Sequence, residues 1–245
     1  MGEVIAVLSG KGGTGKTSVC AGVSTALADS GAKVLCIDCD IGLRNLDISL
    51  GLAQEGALSF LDVCSGGYTL EQVTRHPAYP ELHFLTAPVN CPAQQIDQQD
   101  FVQMLRKARE LYQYIFLDAP AGIDEGFRLA ARYADRILLV TGADPAAVRD
   151  AGRAGDILEL MGKTDIRLIL NRVNRKLVSA MSVTVDDVMD SAGLPLIGVV
   201  PEDTNMILAA AFGVPLLKKS KRGAASAACR RIAKRIQGLS EPIAL

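Results

Sequence analysis

The chain is 245 residues long and 49% hydrophobic, with a formal net charge of −1 and an isoelectric point near 6.1. That composition supports a large core and excludes wholesale disorder, and its near-neutrality gives no general attraction to nucleic acid or anionic lipid, only room for a local patch. Residues 1–10 lack the charged start and cleavage site of a secretory signal, and no apolar run reaches the roughly 18 residues of a membrane-spanning helix, so the cytoplasm is the expected compartment.

Short Val/Ile/Leu-rich runs alternate with longer amphipathic segments. The first strand is expected at Val4–Leu8 and the first helix at Lys16–Asp29. Between them runs Gly10-Lys11-Gly12-Gly13-Thr14-Gly15-Lys16-Thr17, which satisfies the G-x-x-x-x-G-K-[ST] pattern. Glycines there accept positive φ and let backbone N–H groups close around phosphate oxygens. The helix beginning near Lys16 aims its positive end at the same anion. Lys16 then holds the β- and γ-phosphates of ATP, the Thr17 hydroxyl ligates Mg²⁺, and Ser18 donates to the α-phosphate. Lys11 is a second lysine among the glycines. It reads either as a surface lysine or as a group that meets further negative charge.

A second strand, Lys33–Asp38, ends at Asp38-Cys39-Asp40. Ligand sites of open parallel sheets gather at the carboxyl ends of strands, so these aspartates are candidates for the metal and the attacking water. Asp40 is read as orienting the water or touching the metal's outer shell, and Asp38 as serving either there or in a turn. Cys36 and Cys39 have C-x-x-C spacing, but with Cys20, Cys64, Cys91 and Cys229 they read as reduced core thiols.

Further strands are expected at Leu82–Thr86, Tyr114–Asp118, Arg136–Thr141, Ile166–Asn171 and Pro195–Val200, and further helices at Asp97–Tyr112, Glu125–Tyr133, Pro145–Met161, Ser182–Ser191 and Lys221–Gln237. Asp118, after four apolar residues, suits a Walker B carboxylate that holds Mg²⁺ through water. Asn171 and the Pro201-Glu202-Asp203 loop follow strands and serve either as turn chemistry or as a base-binding site. Asp150, near Arg149 and Arg153, reads by default as part of an exposed charge cluster. The last helix sets Arg230, Arg231, Lys234 and Arg235 against Ala225, Cys229, Ile232 and Ile236, and packing on the sheet is favoured over membrane contact. The whole reads as one domain, 1–245, of the α/β class: a P-loop NTPase three-layer α/β/α sandwich with a mostly parallel sheet.

Lys11 to Thr17 resembles the deviant Walker A motif of the ParA/MinD class of ATPases. The resemblance implies that Lys11 reaches the nucleotide of a facing subunit, in an ATP-dependent homodimer. Asp38 to Asp47 resembles the first switch of the MinD branch, Asp118 to Phe127 its second switch, and Pro145 to Arg153 the helix that follows. It thus extends over nearly the whole chain and implies an ATPase switch acting in septum placement, with Lys11, Lys16 and Asp40 as catalytic residues. It also implies adenine held by Asn171 and the 201–203 loop, a MinC-type inhibitor received near Asp150, and a MinE-type activator at Arg44 and Asn45. The branch has a membrane-targeting helix after a linker, and this sequence stops at Leu245 without one, so membrane attachment is not expected; peripheral contact at the inner face of the membrane is the secondary location. A DNA-binding ParA-type partitioning ATPase, disfavoured by the near-neutral charge, and a nucleotide-gated scaffold with little turnover are the alternatives.

Overall fold

The computed structural model describes residues 1–89, 96–174 and 184–243. Cys91 and the expected helix start at Ser182 lie outside them. The strands are β1 (Glu3–Leu8), β2 (Val34–Asp38), β3 (Thr74–His76), β4 (Tyr79–Leu85), β5 (Tyr114–Asp118), β6 (Arg136–Thr141), β7 (Ile166–Val173) and β8 (Leu196–Pro201). They form one sheet in the order β3-β4-β2-β5-β1-β6-β7-β8. Neighbours pair in parallel except β3 and β4, which are antiparallel.

Alternate residues of β1 feed opposite cores: Val4, Ala6 and Leu8 on one face, Ile5 and Val7 on the other. A strand buried on both faces has no position to spare for a polar residue, which is why its sequence is an unbroken apolar run. The first face is covered by α3 (Phe60–Cys64), α4 (Gln98–Leu111), α5 (Glu125–Tyr133), α6 (Pro145–Leu160) and α7 (Val185–Ala192), through Phe60, Phe101, Phe127, Val148 and Val188. The second is covered by α1 (Lys16–Asp29), α2 (Leu46–Leu50), α8 (Thr204–Ala211), α9 (Leu216–Lys219) and α10 (Ala224–Ile236), through Val19, Leu46, Ala209, Leu216 and Ile232. The result is the three-layer α/β/α arrangement expected from the alternation of elements.

Element ends follow local chemistry. Asp97 and Asp144 cap α4 and α6 by accepting from Gln99 N at 2.7 Å and Ala147 N at 3.0 Å, so each helix starts one residue after its aspartate. On α10, Ala225, Cys229, Ile232 and Ile236 are buried as expected, and Arg235 donates to the Ile197 carbonyl. Its apolar stripe therefore faces the sheet. Cys20, Cys36, Cys39 and Cys229 are buried free thiols. The short edge strand β3 and the helices α2, α3, α8 and α9 had no expectation.

Candidate nucleotide-binding site

The glycine-rich loop joins the end of β1, in the middle of the sheet, to α1. Gly13 and Gly15 have φ of 79° and 82°, a region L side chains avoid. Gly15 is the N-cap of α1 and no side chain caps the helix, so its first N–H groups are left to an anion. Neighbouring elements press on the loop. A Cβ at Gly10 would lie 2.5 Å from the Asp150 carbonyl oxygen on α6, and one at Gly15 would lie 2.3 Å from Asn171 Nδ2 on β7.

Lys16 is buried, with its Nζ 2.5 Å from Asp118 Oδ1 and 3.2 Å from Thr17 Oγ1. Asp118 is buried at the end of β5, beside β1. Burial pushes its carboxyl up, and the Lys16 ammonium pulls it back. A hydroxyl and a carboxylate side by side are hard oxygen donors suited to Mg²⁺ completed by water and phosphate.

Asp38 ends β2 in register with Asp118. It is fully buried and accepts hydrogen bonds from Asp40 N at 2.9 Å and Leu46 N at 3.1 Å, which ties down the loop between them. Burial first, then the charge of Asp118, pushes its carboxyl up to about 7. Asp40 is half-buried, and its Oδ1 accepts from Leu43 N at 3.2 Å, closing a turn in its own loop. It lies close enough to act on both Asp38 and Asp118 by charge. Arg44 sits at φ 48°, with Nε and Nη2 donating to Thr86 Oγ1 at 3.2 and 3.0 Å. Asn45 precedes α2 without capping it through its side chain.

Lys11 Nζ lies 3.1 Å from Asp144 Oδ1 in a half-exposed pair. Both flank a cavity of about 370 Å³, lined also by Gly12, Thr14, Asn171 and Asn174. Asn171 Nδ2 donates to the Thr14 carbonyl at 2.7 Å. Its Oδ1, with Ser9 Oγ and Thr14 Oγ1, is buried without a partner among the described residues. Orphan polar atoms of this kind around a glycine cradle fit a polyanion with an attached base, since an unpaired buried polar group otherwise costs on the order of 1–3 kcal/mol.

Glu202 reaches this cavity indirectly, accepting from Asn174 Nδ2 at 2.9 Å. Asp203 instead caps α8 and anchors α10, accepting from Asn205 N at 2.9 Å and Ala225 N at 3.2 Å. Its carboxylate is thereby committed to structure, and Pro201 closes β8. Ser18 is half-buried in the first turn of α1. The structure thus gathers Gly10 to Thr17, Asp38, Asp118 and Asn171. It also adds Asp144, Asn174 and Thr86, which the sequence did not single out; Asp144, just before Pro145 at a helix start, carries the one local signal that could have pointed to it.

The model of the CobQ/CobB/MinD/ParA nucleotide binding domain matches residues 5–216. The septum site-determining protein MinD of Synechocystis sp. is 36% identical over 244 residues, which are 99% of this chain and 92% of that protein. Among solved structures, the MinC:MinD cell division protein complex of Aquifex aeolicus matches with a TM-score of 0.90 and 36% identity, covering 99% of this chain and 98% of that one. MinD of Pyrococcus horikoshii complexed with Mg-ADP matches with a TM-score of 0.84 and 28% identity, covering 96% of each chain.

Proposed function

The chain belongs to the CobQ/CobB/MinD/ParA nucleotide-binding family, and from its likeness to MinD we propose that it is an ATP-binding and hydrolysing switch that acts in placing the division septum. The observation that carries this reading is the buried Lys16, set on Asp118 at the mouth of the uncapped Gly10–Thr17 cradle.

In this reading the loop amides and Lys16 hold the β- and γ-phosphates, and Ser18 holds the α-phosphate. Thr17, and Asp118 through water, hold Mg²⁺, with Asp40 in its outer shell; the bound ion supplies positive charge to the phosphate oxygens. The free Oδ1 of Asn171 accepts from the adenine amino group, and the Pro201-Glu202-Asp203 loop packs beside the base. Water attacks the γ-phosphorus in line as the bond to the bridging oxygen breaks, and Asp40 orients that water. Lys11 leaves Asp144 for the nucleotide of a second copy, so the ATP-bound form is a homodimer. Hydrolysis then releases the loops held by Asp38 and Asp118 and separates the subunits. The neighbourhood of Asp150 on α6 receives a MinC-type inhibitor, while Arg44 and Asn45 meet a MinE-type activator. The site of action is the cytoplasm and the inner membrane face.

Calorimetry with Mg-ATP, alongside phosphate release and sedimentation with ATP, ADP and no nucleotide, tests the reading. It expects saturable heat, turnover and an ATP-dependent dimer. No heat at millimolar Mg-ATP from folded protein would sink it.

A further inference from the structure

His76 ends the edge strand β3 and is buried, while its chain neighbours Arg75, Pro77 and Ala78 are exposed. Its Nδ1 accepts from Ala78 N at 3.0 Å and Tyr79 N at 3.2 Å, in the turn that leads into β4. Two donors at Nδ1 leave the ring proton on Nε2. Nε2 donates it to the Leu50 carbonyl at 2.8 Å. Burial first, with Lys218 adding to it, holds the imidazole below its ordinary range against the pull of the Leu50 carbonyl and Glu55. The ring is thus kept neutral and in one tautomer.

Leu50 is the last residue of α2, and its carbonyl is one of those a helix leaves unpaired at its C-terminus. With five residues, α2 is too short to hold its own position. Its place comes from what grips it. The Leu46 and Leu50 side chains are buried in the core, Asp38 Oδ2 accepts from Leu46 N at 3.1 Å, and His76 takes the Leu50 carbonyl. Asp38 Oδ1 meanwhile accepts from Asp40 N at 2.9 Å. One end of α2 is therefore fastened to the carboxylate that places Asp40, and the other to an imidazole at the edge of the sheet. The loop 39–45 runs between β2 and α2, so a slip of the helix moves Asp40.

We propose that His76 is a positioning residue for hydrolysis: through the Leu50 carbonyl and α2 it fixes the loop that presents Asp40 to the attacking water. This rests on Asp40 as the group that orients that water. The hydrogen-bond partners of His76 lie outside the Gly10–Thr17 cradle, so it acts on turnover and leaves nucleotide affinity alone. A histidine that served only the core would be replaceable by any side chain that filled its space. A tether needs a donor at the reach of Nε2.

The test compares His76→Gln with His76→Asn. The longer amide keeps a donor at the reach of Nε2 and gives up the turn; the shorter one keeps the acceptor for Ala78 N and Tyr79 N and falls short of Leu50. Phosphate release by His76→Asn should show kcat down roughly fivefold to tenfold, with KM and Mg-ATP affinity by calorimetry within about twofold of the wild type. His76→Gln should keep most of the wild-type kcat. His76→Phe, which fills the ring's space without either nitrogen, should match His76→Asn and stands in for it if that variant does not fold. Amide hydrogen exchange of residues 39–50 without nucleotide should quicken in His76→Asn and His76→Phe but not in His76→Gln. Several results would overturn the proposal. Quickened exchange with kcat unchanged would leave His76 a stabilising residue only. An equal fall in His76→Gln and His76→Asn would assign its role to the β3–β4 turn, and a fall in affinity matching that in kcat would mean general damage to the site. No phosphate release by the wild type would instead sink the ATPase reading, and this proposal with it.

Discussion

Lys16 and Asp118 form an ion pair whose side chains are 6% and 1% exposed. Replacing Lys16 by Met keeps much of the side-chain volume but leaves a buried carboxylate without its counter-charge. Breaking a buried pair from one side costs about 3–5 kcal/mol, because the surviving charge has neither water nor partner. Asp118 limits that cost by taking up a proton, since burial already pushes its carboxyl up and Lys16, followed by the Thr17 hydroxyl, is what opposes it. The expected loss for Lys16→Met without nucleotide is thus about 3 kcal/mol at neutral pH, and less at pH 5. Asp118→Asn should lose a similar amount by stranding the ammonium. The double variant removes both charges, so it should lose far less than the sum, with a coupling of about 2 kcal/mol. Urea unfolding of the four proteins without nucleotide measures this cycle. Calorimetry on Lys16→Met should show Mg-ATP affinity down roughly 100-fold, as expected for losing a charge-assisted contact worth about 3 kcal/mol. Additive losses, with coupling under about 0.5 kcal/mol, would refute the assignment of Lys16 and Asp118 as mutual counter-charges.

Gly15→Ala places a Cβ 2.3 Å from Asn171 Nδ2 at a φ of 82°, so it should cost about 1–3 kcal/mol in thermal unfolding and weaken Mg-ATP binding; unchanged affinity would contradict the cradle geometry. Lys11→Ala removes a pair that is 38% and 56% exposed, so stability should move by less than about 1 kcal/mol while ATP-dependent dimerisation, followed by sedimentation, disappears. Burial, then the charges of Arg75 and Lys33, hold the His83 imidazole down at about 4 against an ordinary 6.5, with Glu81 opposing them. The folded state then binds fewer protons than the unfolded one between these values, so this contribution is complete above pH 6.5 and fades as pH falls through 4, by up to about 3 kcal/mol. His83→Phe should flatten that limb of the urea-stability profile, and an unchanged slope would count against it.

The loop from Gly10 to Thr17 was legible because its chemistry is contiguous: one run of residues supplies the turn, the amides and both lysines. The buried strands were legible for the same reason, their two-faced burial being written as apolar runs. Pairings across the sheet were not. Lys16 and Asp118 are 102 positions apart and meet only because β1 lies beside β5, and Lys11 and Asp144 are 133 apart. No local pattern carries that adjacency. Asp203 looked like a site residue by its place after a strand, yet its carboxylate is spent on the α8 cap, a use that depends on where α10 begins. Helix α8 was missed because Met206-Ile207-Leu208-Ala209 is apolar all round, so no amphipathic period announces it. Strand β3, at three residues, is too short to show alternation.

The two lysines of the loop differ in a way their spacing alone does not show. Each is balanced by a carboxylate, so neither stands as a bare charge before a phosphate arrives. Lys16 is balanced in the interior, where any departure must be matched by an incoming anion at the same moment. Its place is therefore fixed, and a triphosphate tail can only substitute for Asp118, charge for charge. Lys11 is balanced at the surface, where an ion pair is worth under about 1 kcal/mol and exchanges with solvent. A lysine so lightly held can leave Asp144 for any denser negative charge brought within reach. A buried, immovable lysine suits the nucleotide of its own subunit, and an exposed, loosely tethered one suits a nucleotide that arrives with another.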